Sequence, residues 1–295
     1  MKFVEYFLTE ISLHHRRMKI IRVFPRKTSC TPDDENVRIN CAPSLFDEAD
    51  EIHISVSFSY DLKRAEELSK QWKNVGEVKI GGCATGQKEY DFVSGMYLKE
   101  GCTITSRGCP NKCWFCNVWK INGDVRELPI VEGWNVLDSN LLACSRNHIE
   151  KVFEMLHRVK KQKHGILFTG GLEAKRLEDY HCELLKSLRP ERMFFAYDTP
   201  DDRDPFIEAM ERLDKFGVSK STRYCYALCG YPNDTFESAE KRFREIWKYG
   251  AMPYAMLYRD RYGETNSQWR KFQRLFARPA IARSILNGKT QIKNS

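Results

Sequence analysis

From about residue 99 onward, short apolar segments alternate with longer segments of helical periodicity. Six segments are predicted as strands: CTITS, WNVLDS, GILFTGG, MFFAYDT, TRYCYALCG and MPYAMLYR. The predicted helices between them are RNHIEKVFEMLHRVKKQK, EDYHCELLKSL, DPFIEAMERLDKFG and TFESAEKRFREIWKYG. Because repeated βα units give parallel strands with right-handed crossovers, this pattern predicts an α/β fold whose sheet curves toward a barrel. Six units are too few to close an eight-stranded barrel, so we expect a partial (βα)6 TIM-like barrel.

A small α/β domain is predicted ahead of this series, over residues 18–98. IIRVF, HISVSFS and EVKIGG are its predicted strands, and DLKRAEELSKQWKN is a predicted helix on which Ala65, Leu68 and Trp72 recur at helical spacing. Residues 1–17 are interpreted as an N-terminal extension. The remaining boundaries are predicted at 99–260 for the partial barrel and 261–295 for a basic, aromatic C-terminal segment.

The composition is typical of a globular protein of enzyme size, with 295 residues and 42% hydrophobic content. No apolar run approaches the roughly 18 residues that a membrane span requires. The eleven cysteines are odd in number and scattered, which argues against the disulfide framework of a secreted protein. We therefore expect a cytoplasmic protein without a membrane partner.

The positive charge of the chain is concentrated at its C-terminal end. The net charge is +8, and residues 259–295 contribute nine basic side chains against two acidic ones. Trp269, Phe272 and Phe276 are interleaved with these bases. Two interpretations follow: the segment contacts nucleic acid through phosphates and stacked bases, or it is an amphipathic helix whose aromatic side chains pack on the domain.

Three cysteines lie in one short loop after the first strand of the six-unit series, in the stretch TITSRGCPNKCWFCNVW. Cys109, Cys113 and Cys116 could bind zinc if Cys102 or Cys144 supplied a fourth ligand. A redox pair would leave one cysteine unexplained. An iron–sulfur cluster could use all three thiolates and leave one iron open to another ligand.

The spacing Cys109-x3-Cys113-x2-Cys116, with the aromatic Phe115 before the last cysteine, resembles the signature loop of the radical S-adenosylmethionine superfamily. The position of the loop after the first strand is also similar, and the resemblance covers roughly residues 99–260. It implies a [4Fe-4S] cluster on the three cysteines. In that superfamily the reduced cluster cleaves S-adenosylmethionine to a 5′-deoxyadenosyl radical, which abstracts hydrogen from the substrate. An electron donor such as flavodoxin or ferredoxin is then an expected partner.

The resemblance also implies contacts to S-adenosylmethionine. Phe115 is expected near the adenine. Asp138 or Asn140, which follow the second strand, is expected to hold the methionyl amine. Gly170 and Gly171, in the near match Gly-Gly-Leu-Glu to a family motif, follow the third strand and are a second candidate for this role.

Three further candidates follow from later strands. Two candidates for contacts to the cofactor are Arg223, early on the fifth strand, and Asp198, at the end of the fourth. Arg223 is expected to pair with the methionyl carboxylate. Gly230 begins Gly-Tyr-Pro-Asn-Asp-Thr, which resembles a turn that meets the adenine side in many members. As local structure, the same turn predicts Asp234 or Thr235 as a helix N-cap.

The N-terminal domain resembles a reduced cobalamin-binding domain. It lacks the Asp-x-His-x-x-Gly loop, since the most similar string, Glu51-Ile52-His53, lies inside a predicted strand, so cobalamin is not expected. The basic tail favours a nucleic acid base or nucleotide as substrate, and a peptide or small metabolite is the alternative. A zinc-stabilised nucleic-acid-binding module without catalysis is the rival from another class.

Overall fold

The structure, a computed structural model, describes residues 18–85, 92, 95–260, 263 and 265–289. Contacts divide the chain into two compact units, one ending at Lys99 and the other beginning at Glu100. The expected N-terminal extension, residues 1–17, lies outside the described residues. Each unit carries its own parallel sheet, so the predicted α/β class is confirmed.

The first unit combines a four-stranded parallel sheet with one long helix in its described part. Its strands, in spatial order β2-β1-β3-β4, are β1 (Ile20–Phe24), β2 (Val37–Ile39), β3 (Glu51–Ser55) and β4 (Glu77–Gly81). The helix α1 (Leu62–Trp72) joins β3 to β4 and buries Ala65, Leu68 and Trp72 on one face. This face packs on apolar side chains of β1 and β3, as the helical spacing predicts.

A polar network occupies the other side of this sheet. The strand register aligns Arg22, His53 and Lys79 in one row. Glu51 accepts a hydrogen bond from Lys79 Nζ at 2.7 Å, and its other oxygen lies 2.7 Å from His53 Nε2. The second ring nitrogen of His53 lies 2.5 Å from the hydroxyl of Tyr97. His53 is therefore a packed residue with both ring nitrogens engaged.

The second unit contains a six-stranded parallel sheet within its described residues, and each predicted strand segment contributes one strand. The strands are β5 (Cys102–Thr103), β8 (Asn135–Val136), β9 (Leu167–Phe168), β10 (Arg192–Ala196), β11 (Arg223–Cys229) and β12 (Met252–Leu257). Their spatial order is β12-β11-β10-β9-β8-β5, so strands that follow one another along this sheet are neighbours. All of their carboxyl ends consequently lie at the same edge.

Helices connect most of these strands. They are α3 (Arg146–Lys161), α4 (Asp179–Leu188), α5 (Arg203–Lys215) and α6 (Phe236–Lys248), in agreement with the four predicted helical segments. The connection from β5 to β8 differs, because it contains only the short α2 (Val118–Asn122) and the antiparallel pair β6 (Ser106–Arg107) and β7 (Arg126–Glu127). No helix in the described part of the chain is long and apolar enough to cross a membrane.

The two faces of the second sheet differ in burial. Met193 and Phe195 on β10, and Cys225 and Ala227 on β11, belong to the buried core. Tyr224 and Tyr226, which alternate with these residues on β11, are more accessible, whereas Leu228 near the end of the strand is buried. Since side chains alternate across a strand, only one face of this sheet is fully buried.

The C-terminal segment forms α7 (Ser267–Phe276) and α8 (Pro279–Leu286). Phe272 is 5% exposed and Phe276 is fully buried, and both pack on Phe243 of α6. Trp269 packs on Phe236 at a ring distance of 4.2 Å. Phe272 and Phe276 therefore cannot stack on nucleobases, because they complete the core, and the packing interpretation is confirmed for these two side chains. Trp269 is partly exposed, and basic side chains of the segment are exposed to solvent.

Candidate functional site

The three cysteines lie in a loop whose two ends are held together. The loop leaves β6 at Gly108 and returns to β7 past Gly123, and Cys109 N–H donates a hydrogen bond to Gly123 O at 3.0 Å. Gly108 has a φ of +93°, and a Cβ at this position would lie 2.1 Å from Asp124 O. Glycine is therefore required where the returning chain crosses the start of the loop.

The loop thiols influence one another. Burial, followed by the neighbouring Cys116, Asp202 and Cys109, raises the pKa of Cys113 to about 11. Burial also raises the pKa of Cys116, although Val118 N–H donates to its sulfur at 3.4 Å. The metal-free thiols of Cys113 and Cys116 are consequently protonated at neutral pH, and a bound cation would have to displace these protons.

The donor set of the loop fits a soft metal centre. Three partly exposed thiols lie within eight residues, and thiolates are the preferred ligands of iron–sulfur clusters and zinc. As the side chains stand, no group of three or more His, Cys, Asp or Glu residues among those described is arranged to hold a metal ion. The two cysteines considered as a fourth zinc ligand have other neighbours: Cys102 contacts Asn135 Nδ2, and Cys144 lies near Ser106 and Asp138.

Asn140 connects this loop to the strands beyond β5. Its side chain is 4% exposed, and its Nδ2 lies 3.4 Å from Cys109 Sγ and 2.6 Å from Glu173 Oε2. Its Oδ1 is buried without a hydrogen-bond partner in the part of the chain that the structure describes. A buried amide oxygen in this state is a candidate acceptor for a ligand.

Glu173 is a site residue that the sequence prediction did not select. It is the last residue of the Gly170-Gly171-Leu172-Glu173 segment after β9, and its side chain is 15% exposed. Its carboxylate contacts Asn140 Nδ2 and also pairs with Arg176 Nε at 2.7 Å. The signal was the Gly-Gly-x-Glu near match itself, whose acidic member carries the contact to Asn140.

The two glycines of this segment have backbone roles. A Cβ at Gly170 would lie 2.3 Å from Asp138 O, so glycine allows the close approach of the chain after β8. Gly171 has a φ of +102°, a region that favours glycine. Both residues therefore shape the turn that carries Glu173 toward Asn140.

Asp138, the other candidate after β8, serves the fold. It is 1% exposed and accepts hydrogen bonds from Thr105 N and Thr105 Oγ1, each at 2.6 Å, and from Ser106 Oγ at 2.8 Å. With both carboxylate oxygens engaged in this way, Asp138 anchors the chain after β5. Of the two candidates, the structure brings Asn140 to the cysteine loop.

Aromatic contacts tie the loop to the last two strands. Trp114 lies 5.3 Å from the ring of Phe115, the residue expected near the adenine. Trp114 also lies 5.8 Å from Tyr231, which follows β11, and 5.7 Å from Tyr258, which follows β12. Phe115 is thus part of an aromatic group at the carboxyl ends of these strands.

Asp198 lies at the carboxyl end of β10 with its side chain near the loop. It accepts a hydrogen bond from Leu228 N at 2.9 Å. Burial, followed by the neighbouring carboxylate of Asp202, raises the pKa of Asp198 to about 7. Its charge contributes to the raised pKa values of Cys113 and Cys116, which places it within electrostatic reach of both thiols.

Arg223 lies at the other edge of the sheet. It is the first residue of β11 and pairs in register with Met193, near the amino end of β10. Its guanidinium is 1% exposed, forms an ion pair with Asp214 at 2.8 Å and donates to the carbonyls of Met210 and Val218. The structure therefore does not bring Arg223 to the loop, and its expected contact with the methionyl carboxylate is replaced by a structural ion pair.

Gly230 lies in the turn directly after β11. Its φ is +75°, and a Cβ there would lie 2.7 Å from Trp269. Gly230 N–H donates to Asp234 Oδ2 at 2.9 Å, while Thr235 is the N-cap of α6 and accepts from Ser238 N. The predicted strand-to-helix turn is present, with Tyr231 as its contact to the loop.

Comparison with models of known protein families gives no match, and no curated protein matches the chain significantly.

Proposed function

We propose that the chain is a radical S-adenosylmethionine enzyme in which Cys109, Cys113 and Cys116 hold a [4Fe-4S] cluster. The observation that carries this proposal is the convergence of strand ends on the cysteine loop. Asn140 contacts Cys109, while Trp114 contacts Tyr231 and Tyr258. A loop that only stabilised its own fold would not need polar and aromatic groups from so many strands.

The same convergence supports a partial TIM-like barrel. Neighbouring strands are about 4.8 Å apart, so four intervals would separate β8 from β12 by about 19 Å in a flat sheet. Cys109 and Trp114 are five residues apart in the loop that follows β5. They contact residues that follow β8 and β12, respectively. A curved sheet brings the residues after β8 and after β12 within reach of one short loop.

The chain's own residues would bind and orient the cofactors. Cys113 and Cys116 lose their protons when the metal is loaded, and Asn140 N–H donates toward the sulfur of Cys109, a kind of contact that tunes cluster potentials. Glu173 and the unpartnered Oδ1 of Asn140 are acceptors suited to the methionyl ammonium group. When bound, the cluster and S-adenosylmethionine supply reductive C–S cleavage and a carbon radical that abstracts hydrogen.

Partners follow from the same chemistry. The cluster requires a one-electron donor of the flavodoxin or ferredoxin type and the reducing conditions of a cytoplasm. The substrate in this proposal is a nucleic acid base or nucleotide, with a peptide or small metabolite as the alternative. Contacts of the C-terminal segment with a polynucleotide would rest on its exposed basic side chains such as Lys271 and Arg274.

Anaerobic reconstitution with iron and sulfide tests the proposal. The wild-type chain should become brown, bind about four irons and release 5′-deoxyadenosine from S-adenosylmethionine under reduction. Cys113→Ala should lower this release more than ~100-fold, because one thiolate ligand is lost. Cys41→Ala, at an exposed cysteine of the first unit, is the matched control and should behave as wild type.

Two results would contradict the proposal. One is a colourless chain that binds zinc in preference to iron. The other is undiminished cleavage of S-adenosylmethionine by the Cys113→Ala variant.

A further inference from the structure

The accessible face of β10, β11 and β12 carries a continuous group of aromatic side chains. Phe194, Tyr226 and Tyr254 alternate with core residues on three neighbouring strands. Met256 on the same side of β12 is 41% exposed, and Ala196 on β10 is also exposed. The exposed Ala196 on the inner strand β10 and the exposed Met256 on the edge strand β12 show that solvent reaches this face of the sheet, which we call the cleft.

The rings of this face are arranged for stacking and edge contacts. Phe194 and Tyr226 are stacked with centroids 4.4 Å apart, and Tyr254 meets Tyr226 edge-on at 5.8 Å. The hydroxyl of Tyr226 donates to Thr169 O at 3.0 Å. The hydroxyls of Tyr224 and Tyr254 form no hydrogen bond to any described residue. They can therefore donate to or accept from a ligand.

The cleft is uncharged over its central part. Arg192 marks the amino end of β10, with its guanidinium 5.8 Å from the ring centre of Tyr224, and Asp198 follows the carboxyl end of the strand. Between these ends, the accessible side chains are neutral, among them Thr169, Ala196, Tyr226, Tyr254 and Met256. A charged ligand group placed against Tyr226 and Tyr254, away from Arg192, would lose water without gaining a countercharge.

This face leads directly to the cysteine loop. Tyr254, Met256 and Tyr258 occupy alternate positions along β12 and its continuation, so they share one side. Tyr258 contacts Trp114 of the loop. A ligand on Tyr254 would therefore lie below the loop, on the side where the strands end.

From these observations we infer that the cleft binds an uncharged planar ring, aromatic or heteroaromatic and of nucleobase size, with hydrogen-bonding groups on its edge. Stacking on the partly exposed rings of Tyr226 and Tyr254, which the buried Phe194 supports from β10, accounts for the planar ring, and the hydroxyls of Tyr224 and Tyr254 account for the edge groups. That this ring is the part of the substrate that reacts rests on the proposed function.

Three probes that share one ring but differ in charge test the inference: benzamide, benzoate and benzamidine. Their affinities for the full chain are measured by ligand-observed NMR titration. We expect benzamide to bind at least about tenfold more tightly than either charged analogue. General attraction by the net charge of +8 would instead favour benzoate. Equal affinities, or a preference for a charged probe, would overturn the inference.

Variants at the exposed Met256 localise the site without disturbing the core. Met256→Glu should shift the preference from benzamide to benzamidine by about tenfold or more, whereas Met256→Gln should keep the preference for benzamide. Tyr254→Phe should weaken benzamide binding several-fold, and Tyr180→Phe on α4 should leave it unchanged. An unaltered preference in Met256→Glu would place the probe elsewhere and refute the assignment.

The same titrations are run on metal-free and iron-loaded protein, which separates this inference from the proposed function. A benzamide preference in a chain that binds no iron would refute the proposed function alone. Cleavage of S-adenosylmethionine without any benzamide preference would refute the ring-binding cleft alone.

Discussion

One carboxylate in each unit illustrates a difference between the two units, because the pKa of Glu51 is lowered and the pKa of Asp198 is raised. Hydrogen bonds from Lys79 and His53 lower the pKa of Glu51 in the first unit. In the second unit, burial and the neighbouring Asp202 raise the pKa of Asp198 to about 7. Glu51 is thus stabilised as an anion by the fold, whereas Asp198 is held without a side-chain cation at hydrogen-bonding distance in the described structure.

This difference indicates where ligand chemistry is located. The polar face of the first sheet satisfies its own groups, so nothing in that network calls for an added partner. At the strand ends of the second sheet, Cys113 has a raised pKa and Asn140 Oδ1 lacks a partner among the described residues. Groups of this kind at the carboxyl ends of strands are candidates for contact with a ligand.

The largest expected effect comes from Asp138, the well-satisfied carboxylate of the second unit. Asp138→Ala leaves the buried Thr105 N–H and two hydroxyls without their acceptor, so the free energy of unfolding should fall by about 3–4 kcal/mol. Urea denaturation of the metal-free chain measures the change. Asn140→Ala is the control, with a smaller loss expected because one of its polar atoms is already unpaired. Equal losses of unfolding free energy in the two variants would contradict the larger structural role of Asp138.

Asp198→Asn should have an effect that depends on pH. Between the ordinary pKa of 3.8 and about 7, the folded state holds a proton that the unfolded state has lost, so wild-type stability falls as pH rises through this window. The free energy of unfolding of the variant relative to wild type should therefore increase as the pH is raised from 4 to 8. Solvent screening at this partly exposed position reduces the expected increase to on the order of 2–3 kcal/mol. Denaturation at both pH values tests this. A constant difference would show that Asp198 is not destabilised by its charge.

Glu51→Gln should have a smaller effect of opposite sign. Since its pKa is lowered in the folded state, Glu51 contributes stability above its ordinary pKa of 4.5, and this contribution is lost as pH falls through the folded pKa. The variant should be about 1 kcal/mol less stable than wild type at pH 7 and equal to it in strong acid. A gain in stability at pH 7 would put Glu51 in the same class as Asp198.

The sequence was sufficient for the order of the six strands and four long helices of the second unit, but it missed β2 in the first unit and the short elements between β5 and β8. Each predicted strand segment contains a strand, since hydrophobic periodicity and Gly or Pro punctuation are local signals. The conformation of the loop that carries the three cysteines could not be predicted in this way. The positive φ of Gly108 and its close approach to Asp124 depend on how the chain returns, which no local pattern records.

The position of the candidate site at the strand ends could be predicted from the sequence, whereas the individual residues that face the cysteine loop were harder to predict. Asp138 and Asn140 both follow β8, and only pairing with partners more than 30 residues away decides which one faces the loop. Glu173 was missed for the same reason. The sequence alone could have excluded Arg223 from the site. The first residue of a parallel strand lies at the edge of the sheet opposite to the carboxyl ends, where the cysteine loop is.

The hydrogen bond between Cys109 N–H and Gly123 O, which joins the two ends of the cysteine loop, has a consequence for how metal would enter and leave. The segment between them resembles an Ω-loop, with its ends already joined in the metal-free chain. The entropy of closing this loop is therefore lost during folding and not during metal uptake. Chelation should strip the ion and leave a folded, reloadable scaffold, in contrast to small zinc modules that unravel when their ion is removed.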